Sequence, residues 1–76
     1  TMDINAKLEE VLAKKVKDAK LDKEASLESL GLDSLDKIDL LYEIEDTFGI
    51  EFTNDEMQSF VTVGDLYKTI EAKIKK

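Results

Sequence analysis

Apolar positions recur at helical spacing in three stretches of the chain, and the most regular of these lies in the middle. Leu40, Ile44 and Phe48 stand four apart, as a buried helical stripe requires. On the same segment Asp36, Asp39, Glu43 and Asp46 recur at threes and fours, which puts a second, acidic stripe on that helix. Leu35, Ile38, Leu41 and Tyr42 lie between the two stripes and widen the apolar surface beyond what a small core uses. The helix is expected to start at Ser34 and to stop at Gly49, a residue able to take the left-handed conformation past the last turn. Upstream, Ile4, Leu8, Val11, Leu12, Val16 and Ala19 keep one face of a helix running from about Asp3 to Lys17. Asp3 is its expected N-cap, and the lysines near its end suit the negative pole of the dipole.

From Asp18 to Leu32 the periodicity weakens. Such a segment is long for a connection in a compact bundle, and loops of that length tend to be functional or to contain a partial turn. Leu27, Leu30 and Leu32 are expected to fold inward and pin it, with Gly31 releasing the backbone before Asp33. After Gly49, Ile50 and Phe52 alternate across a short extended piece. Thr53-Asn54-Asp55-Glu56 is a capping-box pattern that opens a short helix ending near Ser59. Thr62-Val63-Gly64-Asp65 repeats the device with Asp in the fourth position and opens a last helix to about Lys75, with Val63, Leu66, Tyr67, Ile70 and Ile74 as its apolar set. Such stripes are buried only against each other. The expected fold is all-α, a small four-helix bundle of three longer helices and one short one, with a long loop between the first and second.

Composition narrows the function. Seventy-six residues allow one domain, residues 1–76, with a modest core and a thin stability margin. There is no cysteine, hence no disulfide framework, and no apolar run approaches a membrane span; a cytoplasmic location is expected. The net charge is −7, from 18 acids against 11 lysines, with no arginine. That balance argues against nucleic acid and for partners with basic patches, met by electrostatic steering. The lysines gather in Lys14–Lys23 and Lys68–Lys76, so the middle of the chain is strongly acidic. No histidine is present to act as base for a serine nucleophile, and no arginine to clamp a substrate. Ser34-Leu35-Asp36-Lys37 matches a Ser-x-x-Lys nucleophile pattern, but its companion motifs are missing and the chain is too short for that fold. The chain is not expected to be an enzyme. Glu51, Asp55 and Glu56 do not follow EF-hand spacing, and no metal site is expected.

Ser34 draws attention because of where it stands. A helix N-terminus combines unpaired N–H groups with the positive end of the dipole, which suits a phosphate. Local chemistry alone leaves a plainer reading open, in which Asp33 or Ser34 is simply the N-cap. The surrounding residues go further. Asp33-Ser34-Leu35, within Gly31-Leu32-Asp33-Ser34-Leu35-Asp36-Lys37-Ile38-Asp39-Leu40-Leu41, resembles the signature of acyl carrier proteins. The likeness continues through Phe48-Gly49-Ile50-Glu51-Phe52 and Thr62-Val63-Gly64-Asp65-Leu66, and so covers nearly the whole chain.

The resemblance implies that Ser34 carries 4′-phosphopantetheine, taken from coenzyme A by a phosphopantetheinyl transferase, whose thiol holds acyl groups as thioesters. It implies a monomer that delivers its acyl cargo to fatty-acid, polyketide or related synthesis enzymes with basic docking patches. By position, Asp33, Asp36, Asp39, Glu45 and Asp46 would meet those basic residues, and Leu35, Ile38 and Tyr42 would form the apolar centre of the contact. Leu41, Phe48, Phe52, Phe60, Val61, Leu66 and Tyr67 are candidates for an interior space that shields the acyl chain, or else ordinary core. Three features depart from the family pattern: Lys37 inside the acidic stripe, Phe52-Thr53 where proline is common, and Tyr42 where a flexible aliphatic residue is common. The alternatives are an aminoacyl or peptidyl carrier, and a non-catalytic acidic interaction module whose Ser34 is only a cap.

Overall fold

Asp3 opens the first helix, α1 (Ile4–Ala13), by accepting a hydrogen bond from the Ala6 N–H at 3.2 Å. The computed structural model describes residues 3–16 and 22–74. Leu8, Val11 and Leu12 are the buried positions of α1, and Ile4 and Val16 pack partly against them. The helix ends at Ala13, short of the Lys17 that its periodicity suggests. The Lys14 and Lys15 amides turn back to the Val11 and Leu12 carbonyls at 3.2 and 3.0 Å, a tightened 3₁₀-type turn that still tucks Val16 inward. Lys17 and Ala19 lie outside the described residues.

The second helix, α2 (Ser34–Phe48), has the predicted bounds. Leu40, Leu41, Ile44 and Phe48 are its buried face. Gly49 ends it at φ 68°, in the left-handed region, with its N–H on the Glu45 carbonyl. The short α3 (Asn54–Ser59) starts from the predicted capping box: the Thr53 hydroxyl accepts from the Glu56 N–H at 3.1 Å and the Glu56 carboxylate accepts from the Thr53 N–H at 2.8 Å. At the last helix, α4 (Val63–Ile74), Asp65 accepts from both the Thr62 and Val61 N–H groups, at 3.0 and 2.9 Å, and its own N–H donates to the Thr62 hydroxyl at 3.2 Å. Val63, Leu66 and Ile70 are buried there and Tyr67 is half-buried, whereas Ile74 is exposed at the helix end rather than part of the core.

The α1 helix packs against α2 and α4, and Phe52 and Phe60 close the remaining side with their rings edge to face at 5.0 Å. Every buried side chain among the described residues is apolar. At roughly 1.5–3 kcal/mol for each fully buried aliphatic or aromatic side chain, this core supplies the main stabilising term against chain entropy. No helix among the described residues is long and apolar enough to cross a membrane.

The long connection is tied down by more than its leucines. Leu27 and Leu32 are buried and Leu30 is half-buried, as expected. The segment also runs against the α3–α4 junction: Leu27 N–H donates to the Val61 carbonyl at 2.8 Å, Val63 N–H to the Ala25 carbonyl at 3.0 Å, and Gly64 N–H to the Lys23 carbonyl at 2.8 Å. Ser26 and Thr62 form an isolated antiparallel bridge at the centre of this strap. Gly64 permits the close approach, because a Cβ there would stand 2.9 Å from the Lys23 carbonyl oxygen. No pattern in the sequence announced the strap.

Candidate attachment site at the start of the second helix

Which residue caps α2 decides what Ser34 is free to do. Asp33 is the cap: its backbone is extended and its carboxylate accepts from the Asp36 N–H at 2.8 Å. Asp36 answers with a weaker bond, accepting from the Asp33 N–H at 3.4 Å, so the two aspartates form a capping box. Ser34 is therefore the first residue within the helix. It is exposed, and its hydroxyl has no hydrogen-bond partner among the described residues. Its own N–H and that of Leu35 belong to the turn that lacks intrahelical acceptors, so the hydroxyl stands over the positive pole of α2.

The approach to Ser34 is set by the loop. Gly31 takes φ 86°, in the left-handed region, and its N–H donates to the Glu28 carbonyl at 3.0 Å. That turn lets Leu32 bury itself two residues before Ser34, with its N–H on the Leu27 carbonyl at 3.3 Å. The serine is thus held at a fixed point between an anchored loop and a capped helix.

Two open grooves meet there. One, of about 670 Å³, lies between the loop and α2 and is lined by residues that include Leu32, Ser34, Lys37, Phe60 and Val61. The other, of about 290 Å³, lies between α2 and α3 and is lined by residues that include Ser34, Lys37, Leu41, Tyr42 and Met57. Ser34 and Lys37 line both. An exposed alcohol without a partner, at a helix N-terminus and flanked by grooves, fits a phosphate ester that leads into an extended arm.

The exposed face of α2 gathers most of the residues that the sequence singled out. Leu35 is 73% exposed, Tyr42 56% and Ile38 41%, so these three are not core. Asp33, Asp39 and Asp46 are exposed beside them. Three of the acids have internal duties, the first being Asp33 as the cap of α2. Asp36 is half-buried in the capping box, and Glu45 is half-buried with its carboxylate accepting from the Phe52 N–H at 2.7 Å. Lys15 lies 3.9 Å from Asp39 and Lys14 lies 3.5 Å from Glu43, so the end of α1 partly neutralises one edge of the acidic stripe. As exposed pairs these contribute little to stability.

Most of the residues considered for an interior space are core in the unloaded chain. Leu41, Phe48, Phe52, Phe60 and Leu66 are packed core, and Tyr67 lies under the Lys23 ammonium at 3.6 Å. Val61 is 60% exposed on the rim of the larger groove. Glu56, considered with Glu51 and Asp55 for a cation, is taken up by the α3 cap and by Lys73 at 3.0 Å.

Three comparisons bear on this arrangement. The family pattern described as the phosphopantetheine attachment site matches residues 3–70. The sequence is 33% identical over 75 residues to an acyl carrier protein of Thermotoga maritima, covering 95% of this chain and 93% of that one. The fold matches a crystal structure of an acyl carrier protein from Thermotoga maritima with a TM-score of 0.80 at 30% identity, over 92% of this chain and 85% of that one. It also matches a putative acyl carrier protein from Mycobacterium tuberculosis with a TM-score of 0.73 at 33% identity, over 91% and 90% of the two chains. The chain belongs to the acyl carrier protein family, and the cofactor of that family is phosphopantetheine.

Proposed function

We propose that Ser34 is the residue that carries the phosphopantetheine arm, and that the exposed face of α2 is where the transferase and the synthase enzymes dock. The observation that carries this reading is the division of labour at the start of α2: Asp33 caps the helix and leaves the Ser34 hydroxyl exposed without a partner. In the attachment step Ser34 Oγ forms a bond to the pantetheine-bearing phosphorus of coenzyme A. The bond to the bridging oxygen of the pyrophosphate breaks, adenosine 3′,5′-bisphosphate leaves, and the hydroxyl proton passes to a base of the transferase. Carried as a thioester, the acyl cargo is then processed by other enzymes.

Leu35, Ile38 and Tyr42 form the apolar centre of the docking face, with Asp39 and Asp46 as its exposed acids and Asp33 at its Ser34 end. Asp36 and Glu45 belong to the same contact only at its edges, because both are half-buried and hold backbone amides. A face with an apolar centre and an acidic surround suits partners that present basic patches.

Intact mass after incubation with coenzyme A and a broad-specificity phosphopantetheinyl transferase tests the reading directly. One adduct is expected on the native chain and none on Ser34→Ala. No adduct with any of several such transferases would leave the chain as an acidic interaction module.

A further inference from the structure

Lys37 stands out among the lysines near the site. Lys14 pairs with Glu43, Lys15 with Asp39 and Lys73 with Glu56, while Lys23 lies over the Tyr67 ring. Lys37 takes part in none of these contacts, although it is half-buried and surrounded by an acidic segment. It is one helical turn after Ser34, and residues three apart on a helix are neighbours, at about 5–6 Å between Cβ atoms. Helical side chains lean toward the N-terminus, so the Lys37 stem covers the turn that Ser34 opens. Both grooves that meet at Ser34 have Lys37 in their walls.

The charge around Ser34 gives this position a use. Asp33 and Asp36 flank the serine, and each spends its carboxylate on a backbone amide of the capping box. A phosphodiester on Ser34 adds a third negative charge to this turn. The helix dipole offsets part of it. A free ammonium one turn away offsets more, and it does so at the point from which either groove is entered.

We propose that Lys37 is a positioning residue for the arm: its ammonium pairs with the phosphodiester on Ser34 and holds the root of the arm against α2, between the two grooves. This rests on Ser34 as the attachment point. The pairing is absent from the apo chain and forms only on loading, so it stabilises the folded holo form alone, whatever the Lys37 stem contributes to both.

The test is a double difference in thermal midpoint, holo minus apo, for the native chain, Lys37→Gln and Lys37→Arg, with the adduct first located by peptide mass. At low salt the native increment is expected to exceed that of Lys37→Gln by on the order of 3 °C, with Lys37→Arg close to native. About 0.5 M salt should erase the excess, because the pair is open to solvent. In parallel the phosphorus-31 line of holo Lys37→Gln should be narrower than native, since its phosphate turns more freely. An adduct on Ser34 with equal increments in all three chains would overturn the role of Lys37 alone. An adduct on another residue, or none, would overturn the attachment reading and this one together. A merely structural lysine would shift the apo and holo midpoints equally, which the double difference removes.

Discussion

Ser34 lies one residue inside α2, and that offset separates two duties that a single side chain would otherwise share. Had Ser34 been the cap, its oxygen would face the helix amides; with Asp33 in that place it faces solvent. Asp33→Ala is expected to lower stability by about 1 kcal/mol in urea unfolding, and Asp33→Ser to restore most of it. Both variants keep Ser34, so a loss of transferase rate confined to the Ala form would tie loading to the capped geometry. Glu56 and Asp65 are two acids whose hydrogen bonds also shift their titration. The Thr53 backbone N–H, and then Lys73, hold Glu56 below the ordinary carboxylate range; the Thr62 and Val61 N–H groups do the same for Asp65. The unfolded chain, with its higher values, takes up protons first as the pH falls. The stabilisation is therefore complete above the ordinary range and is lost below about pH 4, as the folded carboxylates are protonated in turn. Urea midpoints of the native chain and Asp65→Asn should differ at pH 7 and draw together as the pH falls below the ordinary carboxylate range. Three of the caps were readable in the sequence, because Asp3, Thr53–Glu56 and Thr62–Asp65 follow known spacings. At Asp33 and Ser34 two good caps stand side by side, and only the backbone shows which one the helix uses.

The α2 helix has a buried face and an exposed face that carries the proposed docking contact, and substitutions should divide accordingly. Leu35→Ser and Tyr42→Ser are expected to reduce transferase kcat/KM several-fold while leaving the thermal midpoint nearly unchanged, because both side chains are mostly in water. Leu40→Ala, at a fully buried position, should cost about 2–5 kcal/mol and leave little folded protein at the thin margin of a domain this size. Circular dichroism melts alongside transfer kinetics separate the two classes. Helix periods made most of both faces of α2 visible in advance, since Leu40, Ile44 and Phe48 mark one side and Leu35, Ile38 and Tyr42 lie off it; Leu41, grouped with the latter by its spacing, is instead fully buried beside Leu40. The end of α1 was not visible: Val16 keeps the apolar spacing but reaches the core through a tight turn, and spacing does not tell a turn from one more turn of helix. Glu45 shows a different limit. The family resemblance implied a partner contact for it, while the Phe52 amide it holds is seven residues away and leaves no trace in the local pattern.

The bundle as a whole depends on contacts between distant parts of the chain, above all where residues 23–27 run against 61–64. Backbone hydrogen bonds of this kind have no residue signature, so the sequence showed the leucines that pin the loop but not the strap that holds it. Gly64 is its narrowest point. Gly64→Ala should force the Lys23 carbonyl away and destabilise the fold by about 1–3 kcal/mol, with hydrogen exchange rising at the Leu27 and Val63 amides. The strap has a further effect on timing. The turn that leads into Ser34 is secured by residues nearly thirty positions downstream, so a growing chain cannot set that serine in place until its last third has emerged and folded. On the proposed attachment at Ser34, truncated or half-folded molecules are expected to be poor substrates for the transferase, so that coenzyme A is spent on finished ones.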